Sequence, residues 1–287
     1  MRLPKQMIVS TVFRWVFDDV SAGVGGRWPV RRDHGLYLPQ LEAFETWCET
    51  AWWVPTGHAA RLVHAGIPLE LAITPPGWLA SLDRDLTGRE VFACPAAAAA
   101  SLAGTQLPSR AFVKPSNAKL DQLEGGWSDD VATTLRHAIE RGMAPTTIVE
   151  VCPDRLSLTA EWRTFVIDGQ VGTISPYRIG PDTWEPSFDS RTDIPTAAAL
   201  EFAALSAKAL YEQGRTPQAY VLDVGLTTAG SWLVIEANAA WSSGTYGCDL
   251  RWAADAAVRA SLGPVDRRWR WQPDATEAVD AEADPLR

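Results

Sequence analysis

The chain has 287 residues, 46% of them hydrophobic, enough to bury a sizeable core divided over two or three lobes. Its net charge of -9 with no basic run excludes nucleic acid as the main partner, since phosphate neutralisation by Lys and Arg supplies most of that affinity. No apolar run approaches the roughly 20 residues of a membrane span, and MRLPKQMIVSTVFRWVFDDV carries charges where a signal peptide needs an unbroken apolar stretch; with Cys48, Cys94, Cys152 and Cys248 at no metal-ligand spacing among themselves or with the four histidines, a soluble cytoplasmic protein with reduced thiols is expected.

Residues 1–105 alternate short apolar runs (MIVSTVF, LELAI, REVFA) with helix-like stretches (LPQLEAFETWCETAWW, PAAAAASLAG), the βα pattern of a small parallel-sheet lobe. SAGVGGRW is glycine-rich but lacks the G-x-G-x-x-G order of a phosphate loop, and no P-loop, zincin or nucleophile-elbow motif occurs. RAFVKPSN then reads as a strand broken by Pro115, SDDVATTLRHAIERG as a helix capped by Ser128 and closed by Gly142, and TTIVEVCPD as a strand stopped by Pro153. TAEWRTFVIDGQVGTISPYR is two alternating runs joined by Asp168-Gly169, a strong hairpin signal. PTAAALEFAALSAKALYEQG is a long helix closed by Gly214, and QAYVLDVGL and SWLVIEAN flank the turn-forming TTAG in a second hairpin. Residues 266–287, ending in the acidic PDATEAVDAEADPLR, read as a disordered tail outside the fold.

The second hairpin carries the first chemical signal. Glu236 and Asn238 are two apart on a strand and share a face. Asp223 joins that face if the loop holds an even number of residues: a six-residue loop sets it opposite Glu236, a four-residue loop opposite Val234. Two carboxylates and an amide on one buried surface are hard oxygen donors suited to Mg²⁺, and would be costly there without a cation; the bland alternative is a strand running out into solvent. In the first hairpin, a two-residue turn sets Arg163 opposite Ile174 and Arg178 opposite Thr159, both on one face with Glu161. That predicts a cationic stripe, against the alternative of a solvated surface pair. The chain has only four lysines against 22 arginines, and two of them, Lys114 and Lys119, lie five residues apart where a strand ends. A flexible point charge there can reach a phosphate, or merely solubilise the strand end.

Taken in order over Ala111 to Asp249, FVKPSN, IVEVC, EWRTFVIDGQV, YVLDVG and WLVIEANAAWSSG resemble the ATP-grasp superfamily, and EWRTFVIDGQV and VIEANAAWSSG most resemble a group of bacterial and phage ATP-grasp domains. The resemblance implies an α+β fold with an α/β N-terminal lobe (1–105), and ATP held between a small (106–152) and a large (153–265) subdomain. Lys114 would contact phosphates, helped by Lys119. Glu150, Val151 and Cys152 would form the hinge whose backbone reads adenine, with Asp154 toward the ribose. Asp223, Glu236 and Asn238 would hold Mg²⁺, and Arg163, with Arg178 beside it, would stabilise the transferred phosphoryl group. The sequence departs from the superfamily pattern in two places. Its only lysine upstream of Lys114 is Lys5, leaving Arg89 or Arg110 to substitute for an earlier phosphate-binding lysine, and the glycine-rich loop shrinks to Gly125-Gly126. The implied activity is an ATP-dependent ligase joining a small-molecule or peptide carboxylate to an amine (or thiol) through an acylphosphate. A non-catalytic ATP-binding module, which the two departures favour, and a kinase on a related scaffold are the competing readings.

Overall fold

The computed structural model of the protein describes residues 3–11, 14–33, 49–262 and 265–278. Three sheets follow one another along the chain. The first is parallel: β1 (Gln6–Ser10) lies between β2 (Val30–Asp33) and β3 (Thr50–Trp53), with α1 (Arg14–Val24) connecting β1 to β2 and α2 (Thr56–His64) following β3. Met7, Val9, Ala51 and Trp52 are buried, as expected of strands covered on both faces. The helix expected over LPQLEAFETWCETAWW falls outside the described residues up to 48, and its last four residues form β3 instead. LELAI is not a strand; only Ala72 bridges, to Arg270.

After a one-turn helix, α3 (Arg84–Thr87), the second sheet runs β4-β7-β5-β6, all antiparallel: β4 (Phe92–Pro95), β5 (Ala111–Pro115), β6 (Gly126–Ser128) and β7 (Ile148–Cys152). α4 (Ala96–Leu102) and α5 (Val131–Glu140) bury Ala96, Ala99 and Leu135 against Val113, Val149 and Val151. This corrects the boundary drawn at residue 105, because β4 pairs with a strand more than fifty residues later, which no local pattern announces. The cap of α5 also moves: Asp130, not Ser128, accepts the Thr133 N–H at 3.0 Å, while Ser128 is held in β6 opposite Ala111.

The third sheet is antiparallel in the order β10-β9-β8-β11-β12, with β8 (Leu158–Ile167), β9 (Gln170–Ile179), β10 (Asp182–Thr183), β11 (Ala219–Thr227) and β12 (Trp232–Asn238). On one face α6 (Thr196–Glu212) packs Ala199, Ala203, Ala207 and Leu210 against Trp162, Val166, Tyr220 and Leu222. On the other, α7 (Leu250–Ser261) and the first lobe cover only one end, burying Phe165, Ala219 and Val221 with Trp53, Trp241 and Ala257. The other end of that face carries Glu161, Arg163 and Asp223.

Both hairpins form, with registers altered by bulges. Asp168 (φ 48°) and Gly169 (φ 77°) make the two-residue turn, whose paired left-handed residues match the twist of the strands. Two irregularities in the β8–β9 pairing then place Arg163 opposite Ser175, not Ile174, and Arg178 opposite Glu161, not Thr159. In the second hairpin Leu226 pairs with Trp232 across a loop of five residues, an odd number; a bulge at Ile235 restores parity and sets Asp223 directly opposite Glu236.

The tail expected to be disordered is ordered as far as 278. Trp271 is buried edge-on against Trp241 at 5.4 Å, its N–H donating to the Leu71 carbonyl, while Thr276 Oγ1 accepts the Ala144 N–H and Thr147 Oγ1 donates to Asp274. Trp271 and the backbone bonds joining 269–271 to 71–73 anchor the segment; residues 279–287 lie outside the described ones. Among the described residues no helix is long and apolar enough to cross a membrane.

The seating of α7 is the tightest contact in this packing. Trp252 donates its Nε1–H to the Phe165 carbonyl at 3.0 Å and lies over Gly172, where a Cβ would sit 2.0 Å from the indole. Gly172→Ala is expected to destabilise the protein by about 1–3 kcal/mol through overpacking, read as a lower urea midpoint at unchanged m-value. Gly57→Ala in α2, where a Cβ meets nothing within 4 Å, should show no such loss.

Candidate active site

The polar end of the third sheet faces Lys114 of the second. On β5, Lys114 pairs across from Glu150 of β7, and its Nζ lies 3.5 Å from Glu150 Oε2 and 2.5 Å from Glu236 Oε2 on β12. One ammonium thus bridges two sheets. Burial works against its charge, but Glu236 and Glu150 outweigh that and raise its pKa. Glu150 is fixed in turn by Ser116, whose hydroxyl donates to Oε1 at 2.8 Å and accepts the Gly77 N–H.

Arg163 and Asp223 form the centre. They are cross-strand partners on β8 and β11, and the guanidinium grips the carboxylate with two bonds, Nε to Oδ1 at 3.0 Å and Nη2 to Oδ2 at 2.7 Å. Burial pushes the Asp223 carboxyl up against the pull of Arg163; three N–H donors meet its two oxygens, the third from Asn238 at 3.1 Å. Asp223 in turn holds the Arg163 pKa above its ordinary value, against burial. The guanidinium carbon lies 5.5 Å from the ring centre of Tyr177 and 5.0 Å from that of Tyr246, the two rings stack at 5.3 Å, and Nη1 donates to the Gly244 carbonyl at 3.3 Å. Arg163 is therefore rigid as well as charged. Next to it Glu161 accepts from Tyr177 Oη at 2.6 Å and from Arg178 Nη1 at 3.2 Å. The expected cationic stripe is thus a chain of ion pairs, since each arginine faces a carboxylate.

The partners of the oxygen donors decide whether they suit a hard cation. Asp223 is fully buried with both oxygens bonded to Arg163, so of the three residues expected to hold Mg²⁺ it is the most deeply set, behind Arg163. Glu236 and Asn238 are the more accessible donors. Burial would raise the Glu236 carboxyl, but Lys114, Asn238 and Arg163 together hold it down at about 2, and Asn238 donates its amide hydrogens to Asp223 and Glu236, leaving its carbonyl oxygen as the ligating atom. Among the described residues no three His, Cys, Asp or Glu side chains gather as a metal cage. Two donors match an ion that keeps waters and takes its other ligands from phosphates.

The remaining expectations divide. Val151 packs in the core of the small subdomain, and β7 is paired on both sides through Glu150 and Val151; at Cys152 the pairing with β4 has ended while that with Phe112 of β5 continues. Asp154 lies just beyond, its carboxylate accepting the Glu90 N–H at 2.9 Å with Arg84 3.7 Å away. Lys119 is exposed on the loop after β5 and forms no ion pair with the central carboxylates. Arg110 pairs with exposed Asp129 and is no substitute for a lysine at the centre. Arg89 does reach it, buried, but donates to the carbonyls of Val234 and Ile235 at 3.0 and 2.9 Å. It clamps the bulge that sets Glu236 in register. The sequence reading left this role of Arg89 unassigned and missed Ser116, Tyr177 and Tyr246; the scarcity of lysine was the one hint that an arginine had been recruited.

A family profile described as "ATP-grasp domain, R2K clade family 2" matches residues 86–256, more than half of the chain and the whole of this cluster. No curated protein matches. Among solved structures, D-cycloserine synthetase DcsG superposes with a TM-score of 0.54 at 16% identity, covering 89% of this chain and 99% of that one. N5-carboxyaminoimidazole synthetase from Staphylococcus aureus gives 0.51 at 8% identity, covering 93% and 82%. At these identities the likeness concerns the fold. With the profile spanning β4 to α7 and the fold shared with both synthetases, the chain belongs to the ATP-grasp domain family, R2K clade family 2.

Proposed function

We propose that the protein is an ATP-dependent ligase that activates a carboxylate as an acylphosphate and passes the acyl group to an amine or thiol, with ADP and phosphate as products. The observation that carries this reading is the meeting of Lys114 from one sheet with Glu236, Asn238 and the rigid Arg163 from the other, in a chain of ATP-grasp ancestry. The purine would lie against the backbone at Cys152 to Asp154, and the phosphates would displace Glu236 as the partner of Lys114. Glu236 and Asn238 would hold Mg²⁺, which when bound would offset the negative charge of the phosphates. Arg163, held in place by Asp223 and the two tyrosines, needs no reorganisation to stabilise the transferred phosphoryl group.

The chemistry balances in two steps. A carboxylate oxygen of the substrate bonds to the terminal phosphorus as the bond from that phosphorus to the ADP oxygen breaks. The nucleophile then attacks the acyl carbon, loses its proton, and expels inorganic phosphate. Groups gathered around a terminal phosphate favour this route over attack at the first phosphorus, which would release AMP and pyrophosphate. The structures of D-cycloserine synthetase and N5-carboxyaminoimidazole synthetase, the latter also complexed with ADP, support a synthetase reading at the level of fold.

Lys114→Met, which keeps the stem of the side chain, is expected to weaken Mg-ATP binding about 10- to 100-fold in calorimetry, in line with loss of a charge-assisted contact, with an unchanged circular dichroism spectrum. Unaltered affinity would remove Lys114 from the site. With Mg-ATP, a panel of carboxylic acids and hydroxylamine as trapping nucleophile, the wild type should form hydroxamate and ADP, and Glu236→Gln should form neither; AMP as the nucleotide product would overturn the acylphosphate route. Glu236 also gives a readout independent of substrate. Its carboxyl is lowered from an ordinary 4.5 to about 2, so its contribution to stability is present above pH 4.5 and disappears as pH falls toward 2. The gap in unfolding free energy between wild type and Glu236→Gln should therefore close across that window, and a gap independent of pH would contradict the ion-pair assignment.

A further inference from the structure

Between the first lobe and the loop that follows β12 lies a cavity of about 260 Å³ that the nucleotide chemistry does not use. A dry cavity of about 150 Å³ already admits benzene, so this one has room for a molecule of amino-acid size. It opens where β1 and β3 end at their carboxyl edges, the side on which open α/β sheets receive ligands. Trp53, Val16 and Val20 give it an apolar wall, and Ser10 and Ser242 a few hydroxyls, the mix of broad apolar surface and sparse polar groups that ligand sites share. Its far wall includes Gly244, whose carbonyl accepts the Arg163 Nη1–H. One residue therefore separates the cavity from the guanidinium assigned to the transferred phosphoryl group.

The charge in the cavity is one-sided. Among the described residues no Lys, Arg or His lines it, and Asp19, on α1, is its only ionisable group. Asp19 makes no hydrogen bond or ion pair among the described residues; its neighbour Asp18 pairs with Arg14, and burial together with Asp18 pushes the Asp19 carboxyl up. Among the described residues this half-buried carboxylate, beside a second acid, lacks a counter-charge. A carboxylate ligand would worsen that imbalance, and a cation would relieve it. Resting on the ligase reading for its place in the reaction, we infer that this cavity binds the amine substrate, a small primary ammonium with an apolar body whose charge is recognised by Asp19.

The test needs neither ATP nor the true substrate. Three probes of similar shape, 2-phenylethylammonium, 2-phenylethanol and 3-phenylpropionate, are titrated at pH 7 by ligand-observed NMR. The ammonium is expected to bind at least about 10-fold tighter than the alcohol, and the carboxylate not at all. Asp19→Asn should erase the preference for the ammonium, while Ser242→Trp and Val16→Trp, which fill the cavity from opposite walls, should each abolish its binding. Equal binding of ammonium and alcohol by the wild type, a preference that survives Asp19→Asn, or binding that survives both filled variants would overturn the inference. Should the wild type yield no hydroxamate yet still select the ammonium through Asp19, the ligase reading falls and the cation site stands; the reverse result removes the cation site alone.

Discussion

A carboxylate at the middle of a sheet, sealed from water, stays ionised only if a fixed cation meets it, and the structure of this protein is organised around that requirement at Asp223. Desolvating two charges costs several kcal/mol for each ion, and only good geometry with further hydrogen bonds offsets it. Arg163 supplies two parallel bonds, Asn238 a third, and the Tyr177 and Tyr246 rings cover the guanidinium. The pair is thus a weak source of net stability but a strong constraint on position. It fixes the register of β8 against β11, and leaves a cation that cannot swing away from the cleft. A group held this way supplies charge to a reaction without having to reorganise.

Irregular backbone makes the arrangement possible. A five-residue loop between regular strands would turn Asp223 and Glu236 to opposite faces, because side chains alternate with a period of two. The bulge at Ile235 reverses that outcome, and Arg89 secures it by donating to the carbonyls of Val234 and Ile235. A second irregularity, at Tyr177, brings Arg178 opposite Glu161 and lets the tyrosine reach both Glu161 and Arg163. The third sheet thereby serves two purposes: one face is sealed by α6, while the other is apolar beneath α7 and polar where it meets the small subdomain. That division follows both from where α7 and the first lobe end and from the change along the strands from Phe165, Ala219 and Val221 to Glu161, Arg163 and Asp223.

Much of the fold was legible because it is local. Alternating runs marked β8 and β9, runs flanking the turn-forming TTAG marked β11 and β12, Asp168-Gly169 announced its own turn, and the alanine-rich run of α6 closed before Gly214. The errors share one physical cause. TAWW could continue a helical pattern or form a strand, and only pairing with β1 decides for β3. REVFA looked like part of the first lobe until β4 was seen against β7. The tail read as disordered because acids dominate its end, while Trp271 finds its partner, Trp241, thirty residues earlier. α7 went unread because its alanines and charges carry only a modest apolar stripe, and Gly172 is what lets Trp252 seat it.

By itself, the sequence determined the chemistry on offer: an E-x-N at a strand end, an acid and an arginine interrupting apolar strands, and a rare lysine at the close of another. These are properties of residue type and of two-residue spacing, and alternation along a strand assigns each side chain to a face without reference to the rest of the molecule. Only the tertiary structure decided who meets whom. It set Asp223 against Arg163, joined Lys114 to a glutamate 122 residues away, and made Arg89 the clamp of a bulge. Ion pairs are chosen by distance, burial and competition among all the charges that converge on a site, and those are set by the packing of one sheet on another, which no local pattern encodes.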